Sequence, residues 1–379
     1  MIDTVILTIP KEAYQITNPK RFDPTSDTLR QYPNLCLVKC VNNPTDEDKK
    51  IAYHPRMSII RRSKGFGVST LDLRVEFSAP KILHQNNVDE TEEDQFNQLT
   101  ETLQGLMQRM GVVVQLKDLR HAKVSSFHAC KNILLQHNYT VRHVLKQLAK
   151  VNVNKKMDFD SARFRNSGQA LTFYAKSNSF IIYDKIRDIT YNNGRSIDND
   201  QTAQQLQLFQ TKNAELEILR LEARLSNRTK LKTVLKELGY MKDPTFEYIF
   251  KKNLCQKIML RYWKNLVSEK NYFIFDMDTK PQRLLQKIIT KLDVKPKQAI
   301  YLTGLKILCK DADGIMGLRQ CLEKNCSSKT WSRITKDFDI LNSMNVDDDY
   351  QEWLGQINDE LARFPLFRYA HCRVKQSKA

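Results

Sequence analysis

Tyr183 and Lys185 stand two residues apart within an apolar run, residues 179–186 (SFIIYDKI). A phenol held beside an ammonium on a rigid element is a nucleophile with its charge partner. The run reads as a buried strand. Side chains alternate along a strand, so Tyr183 and Lys185 share one face while Phe180, Ile182 and Ile186 take the other. Taken alone, the pair is as readily an amphipathic ring beside a solvated amine, so its chemistry depends on its neighbours.

Three other segments supply candidates. In residues 71–77, Leu71, Leu73, Val75 and Phe77 alternate with Asp72, Arg74 and Glu76. In residues 219–225, Leu219, Leu221, Ala223 and Leu225 alternate with Arg220, Glu222 and Arg224. A helix competes for this second segment because Glu, Leu and Arg are good helix formers, but the period of two over seven residues favours a strand. Residues 119–127, read as a third strand, place His121, Lys123 and Ser125 on one face. Each polar face by itself is explained by cross-strand Arg–Glu pairs in water. Together on one sheet they gather carboxylates, an imidazole, a phenol and several cations. Carboxylate and imidazole suit a hard or borderline divalent metal, and arginines grip phosphate bidentately. A metal, a phosphate clamp and a tyrosine nucleophile make phosphodiester transfer to tyrosine.

The elements that must position these groups suggest an α+β chain: an antiparallel sheet with flanking helices, followed by a helical C-terminal region. The opening MIDTVILTIP reads as a strand ending at Pro10, and residues 1–88 as a series of strands. The acidic run 89–94 precedes a helix with Phe96, Leu99, Leu103, Leu106 and Met107 on its apolar side, its acids favourably placed at the positive end. A strand begins at 112–114, a helix is expected over 131–151, and strands return over 157–189. Residues 190–204 read as a polar loop. From Arg228 helices dominate, and residues 228–270 carry eleven Lys/Arg against four Asp/Glu. Residues 299–308, 314–322 and 328–341 have the spacing of three short helices, with Ser328 as a cap and Trp331, Ile334 and Phe338 inward. They fit a helical bundle or a helix-turn-helix reader. The expected units are 1–240, 241–298 and 299–379.

Composition narrows the function classes. The 379 residues are 41% hydrophobic and 27% charged, ordinary for a globular chain, and 61 basic residues against 43 acidic give a net charge of +18. Such an excess attracts polyanions, above all nucleic acid. No apolar run approaches the ~18 residues a membrane helix needs, and the N-terminus lacks the layout of a signal peptide, so a cytoplasmic location is expected. Among the eight cysteines there is no CxxC pair, which argues against a zinc module and for reduced thiols.

At these residues the sequence resembles the phage and plasmid replication proteins of the gene II/X family, initiators of rolling-circle replication. MIDTVILTIP looks like the family's opening strand. VEFSAPKILHQNNV (75–88) is similar to its V-E-x-x-x-S/A-P-x-K-x-L-x-x-x-N-V segment, with a one-residue offset before the proline. FIIYDKI matches the strand of the nicking tyrosine, at Tyr183, and LRLEARLSNR (219–228) matches an R-F-E-A-R-type strand with its acid at Glu222. The wider stretch GQALTFYAKSNSFIIYDK resembles the active-site strand pair of plasmid initiators, and SSKTWSRITKDFDIL resembles the family's closing helical segment.

The resemblance implies a metal-dependent endonuclease that nicks one strand at an origin, leaving a 5′-phosphotyrosyl link and a 3′-hydroxyl primer. It implies Tyr183 as nucleophile with Lys185 beside it, and Glu76 and Glu222 as ligands of Mg²⁺ or Mn²⁺. Arg74, Arg220, Arg224, Lys123 and Lys176 would contact DNA. Relatives carry an aspartate in an R-I-D-type strand where this chain has Leu119-Arg120-His121. His121 replaces it as a ligand, or His128 does, or neither. Tyr174 is the second candidate nucleophile. Origin DNA (duplex or hairpin, then single strand) and the host helicase and polymerase of a bacterial cell are the implied partners. A DNA-binding regulator without nicking activity, or a relaxase-like processing enzyme, are the alternatives.

Overall fold

The structure is a computed structural model and describes residues 1–24, 39–63, 69–136, 139–151, 161–165, 169–190, 216–267, 280–312, 314–322, 324–342 and 352–370. Its strands are β1 (Ile2–Ile9), β2 (Tyr14–Ile16), β3 (Lys39–Asn42), β4 (Arg56–Ser63), β5 (Ser69–Ser78), β6 (Val112–Val114), β7 (Lys123–Leu134), β8 (Ser161–Arg165), β9 (Ala170–Tyr174), β10 (Asn178–Asp184) and β11 (Ile218–Leu225). Among the described residues nine of them form one antiparallel sheet, ordered β3-β4-β5-β1-β7-β11-β10-β9-β8, and β2 pairs with β6 in a separate ribbon. The expected α+β class with a helical C-terminal region is therefore correct. No helix among the described residues is long and apolar enough to cross a membrane.

Alternation decides which face is buried. Leu73, Val75 and Phe77 of β5 and Leu219, Leu221, Ala223 and Leu225 of β11 all enter the main core. Helices Phe96–Arg109, Arg228–Glu237, Lys252–Leu266 and Glu352–Arg363 add their apolar stripes to that core. Phe180 of β10 stacks on Tyr262 of the helix Lys252–Leu266 with ring centroids 5.9 Å apart, a contact worth about 1 kcal/mol beyond its buried area. A second core joins Leu284, Ile288, Leu302, Ile315, Phe338 and Leu341, with Trp331 and Ile334 packed against it. Residues 241–298 and 299–379 each contribute to both cores. All six cysteines among the described residues are free.

Several expected elements take another form. Residues 119–127 are not one strand. A short helix, Leu116–Arg120, turns the chain between the ribbon and the sheet, and β7 begins at Lys123. The helix expected over 131–151 is confined to Val141–Leu148, capped by the Thr140 hydroxyl, while Lys131–Leu134 complete β7. Lys131 looks like a helix residue in sequence. It is buried in the sheet because Glu90 neutralises it at 3.2 Å. The acidic run does not serve the helix Phe96–Arg109, which has no acid in its first turn. Instead Glu90 accepts hydrogen bonds from the Asn132 and Phe367 N–H groups, and Asp89 from that of Tyr369. Ser327, rather than Ser328, caps the helix Ser328–Asn342 through the Thr330 N–H. The loop expected over 190–204 lies, beyond Thr190, outside the described residues.

Burial would raise the Glu90 carboxyl, but the charges of Lys131 and of the N-terminus, together with the Asn132 and Phe367 N–H groups, hold it below its ordinary value. A depressed folded value contributes stability at neutral pH that disappears as the pH falls below the ordinary 4.5. Thermal unfolding followed from pH 7 into acid should therefore show a steeper loss of Tm for the wild type than for Glu90→Gln. At neutral pH Glu90→Ala leaves Lys131 buried without its counter-ion, and urea unfolding should register a loss of about 3–5 kcal/mol.

Candidate active site

Asp3, His128 and Glu222 meet at the centre of the sheet, on the adjacent strands β1, β7 and β11. The β1–β7 ladder pairs Ile2 with Ala129 and then Val5 with Phe127, so Asp3 and Thr4 together oppose His128 alone. That bulge lets Asp3 turn toward the imidazole. Glu222 comes from simple alternation, since it pairs with Cys130 of β7 and Ile181 of β10 while its neighbours Leu221 and Ala223 face the core. One ligand atom from each of the three residues lies within 4.8 Å of the others.

Glu222 has no exposure at all, and its partners are close. Its Oε1 accepts from Arg224 Nε at 2.8 Å and lies 3.2 Å from His128 Nδ1, while Oε2 accepts from the Tyr183 hydroxyl at 3.1 Å. Burial alone would raise its pKa. The charge of Arg224, the hydrogen bond from His128 and the charge of Arg220 hold it well below the carboxylate range. Asp3 follows the same logic: burial raises it, but the Arg220 guanidinium, 3.2 Å from Oδ1, together with the Lys185 and His128 charges leaves it lowered. The Ser78 hydroxyl also donates to Asp3 Oδ1 at 3.2 Å. Both carboxylates are thus ionised at neutral pH. Two ionised carboxylates and an imidazole make a donor set for an oxygen-preferring divalent cation such as Mg²⁺ or Mn²⁺.

Tyr183 is nearly closed to solvent. Burial, joined by the Glu222 charge, pushes its phenol well above 10 although Arg220 opposes this, so the resting hydroxyl is protonated and donates to Glu222. Lys185 is also buried. Desolvation and the Arg220 charge lower its pKa, and its Nζ lies 3.3 Å from Asp188 and 5.6 Å from the centre of the Tyr183 ring. The side chain of Arg224 remains 40% exposed.

The structure brings together Tyr183, Lys185, Arg220, Glu222 and Arg224. Lys185, however, is not on the tyrosine strand. β10 ends at Asp184, whose carboxylate accepts the Arg187 N–H at 3.0 Å and starts the helix Lys185–Thr190. Lys185 meets the ring from a helix's first residue and not by strand alternation. Glu76 pairs with Ile6 and Arg56, two residues before Ser78, and is not in the donor group. His121 follows the helix Leu116–Arg120, is 61% exposed and lies 3.8 Å from Glu247. His128, left open by the sequence, stands in the group. Arg74 lies opposite Thr8 and Ser58; Lys123, paired with Thr8, and Lys176, in the β9–β10 turn, are both exposed. Tyr174 pairs with Ser179 on β9. Sequence reasoning missed Asp3. The available signal was a lone carboxylate in an otherwise uncharged opening strand.

Residues 1–242 match the model of a phage family described as the N-terminal part of a replication-associated protein, the gene II product. No curated protein matches the chain, and neither does any solved structure.

Mn²⁺ titration is the test that separates the two candidate donor sets. Asp3→Asn, His128→Ala and Glu222→Gln should each weaken Mn²⁺ binding at least about tenfold in titration calorimetry, whereas Glu76→Gln and His121→Ala should leave it at the wild-type value.

Proposed function

The chain belongs to the phage replication-associated proteins of the gene II/X type, and from that premise we propose that it nicks one strand of origin DNA with Tyr183 as nucleophile. The observation that carries the reading is the Tyr183 hydroxyl, donated at 3.1 Å to a carboxylate of the Asp3–His128–Glu222 group.

Glu222, held ionised, orients the phenol oxygen toward the place where a phosphodiester lies against the donor group. The tyrosine oxygen attacks phosphorus and the bond to the 3′ oxygen breaks. In the net exchange phosphorus replaces the phenolic proton, and the 3′ oxygen leaves as a hydroxyl. The 5′ phosphate stays on Tyr183, which conserves the bond energy for later rejoining. Lys185, beside the ring, favours the charge that develops on the phenol oxygen as its proton departs. Arg224, partly exposed, is placed to grip a phosphate oxygen, whereas Arg220 is occupied with Asp3 and the Asn87 carbonyl. A bound Mg²⁺ or Mn²⁺ supplies Lewis-acid neutralisation of the phosphate charge. Asp3, His128 and Glu222 are the residues that would hold it.

The reading of the chain as a regulator without chemistry rests on a histidine at position 121 in place of an aspartate. Asp3 supplies the second carboxylate from another strand and removes that reason. Origin DNA, as duplex or hairpin and then as single strand, is the proposed substrate, bound by the basic surface with a marked salt dependence. Host helicase and polymerase would extend the 3′-hydroxyl.

Supercoiled origin plasmid incubated with the protein and Mn²⁺ should yield nicked circles carrying covalently attached protein. Tyr183→Phe should abolish both the nick and the adduct, while Tyr174→Phe keeps them. Tight binding without a nick would overturn the reading, and loss of nicking in Tyr174→Phe alone would move the nucleophile to β9.

A further inference from the structure

A segment remote in sequence packs against the short helix that follows the tyrosine strand. After the helix Glu352–Arg363 the chain reverses at Phe364, a buried residue with φ of +48°. It then runs as an irregular strap over residues 365–368 to Tyr369. The strap is fixed at four points. The Pro365 carbonyl accepts the Lys131 ammonium at 2.6 Å. Phe367 exchanges hydrogen bonds with Glu90, donating to its carboxylate at 3.2 Å and accepting from its N–H at 3.1 Å. Arg368 reaches Glu92 at 3.4 Å, and the Tyr369 N–H donates to Asp89 at 2.7 Å.

What the strap covers gives it a role. Phe367 and Tyr369 form a small separate core with Val88, Ile186, Ile189, Leu216 and Ile218. Ile186 and Ile189 belong to the short helix that begins at Lys185, the residue set against the Tyr183 ring. Asn87, just before Val88, gives its carbonyl to Arg220 Nη1 at 2.6 Å, and the same guanidinium faces Asp3. A helix of six residues has little stability of its own, so its placement is set by what packs on it. The main core does not include Ile186 or Ile189.

We propose that Pro365–Tyr369 is a positioning strap for the tyrosine site, holding Lys185 at the Tyr183 ring through Phe367 and Tyr369, and Arg220 at Asp3 through the segment Asn87–Glu90. None of the strap residues touches the reacting atoms. They act through Lys185 and Arg220. This inference rests on the nicking reading for its kinetic consequence, but not for its geometry.

The test uses the full chain with Phe367→Ala and, as a milder release of the strap, Asp89→Ala, with Phe367→Leu as the conservative partner. With saturating origin oligonucleotide and Mn²⁺, single-turnover cleavage should slow about tenfold or more in the first two, since small misplacements of positioned groups carry costs of that order. The oligonucleotide Kd should stay within about twofold of the wild type, and Phe367→Leu should restore most of the rate. Hydrogen exchange should quicken at the amides of Lys185–Thr190 while β1 and β7 keep their protection. Wild-type cleavage rates in both variants, or exchange that quickens everywhere alike, overturn the strap. If the wild type itself does not nick, the nicking reading fails on its own, and exchange over Lys185–Thr190 alone decides the strap.

Discussion

A carboxylate without any solvent contact, Glu222, sits in the middle of a nine-stranded sheet, and the surrounding architecture is arranged around its charge. Taking an ion of that size out of water costs several kcal/mol even after the protein relaxes. The charge is kept because Arg224, His128 and Arg220 surround it and because the Tyr183 hydroxyl donates to it. These partners come from three adjacent strands, so the pairing of β7, β11 and β10 satisfies the charge and presents the phenol in one arrangement. The strand pattern, the ionisation states and the aim of the phenol are consequences of a single requirement, that this carboxylate stay ionised deep inside the fold.

The chain contains a second buried charge system, and it differs in kind. Lys131 and Glu90 sit at 1% and 3% exposure and bind mainly to backbone, through Pro365, Asn132 and Phe367. Among the described residues, neither side-chain charge bonds to a phenol or an imidazole. Such a pair specifies where segments lie, and its removal by halves leaves an uncompensated charge. The Glu222 system leaves part of Arg224 open to solvent, whereas the Glu90 system is closed. One keeps a cation within reach of solvent, and the other ties distant parts of the chain together.

The period-two patterns of residues 71–77 and 219–225 place β5 and β11 correctly, because a half-buried strand must alternate whatever else surrounds it. Tyr183 and Glu222 are legible for the same reason. Lys185 is read in the right place for the wrong cause: Asp184 is a helix-capping residue, and its carboxylate ends the strand one residue before the lysine. His121 fails because two polar residues at even spacing do not distinguish a strand from a turn of helix. Asp3 is illegible for a different reason. A bulge breaks the parity rule at that point, so the residue faces a side that alternation does not assign. Lys131 is misplaced in sequence because the acid that allows its burial lies 41 residues away.

The position of Asp3 also bears on when the site comes into being. β1 comes before the other strands in this sequence, yet it lies between β5 and β7 and meets Glu222 only through pairings that span much of the chain. Contacts of such long sequence separation form late, after the loop-closing entropy has been met. On a ribosome delivering the chain from its N-terminus, no donor group exists until residue 222 has emerged and joined the sheet. A truncated or half-folded product therefore carries scattered carboxylates and an unaimed phenol, which do no chemistry. The topology thus ties the donor group to the pairing of strands far apart in sequence, and the group is assembled only once β11 has joined the sheet.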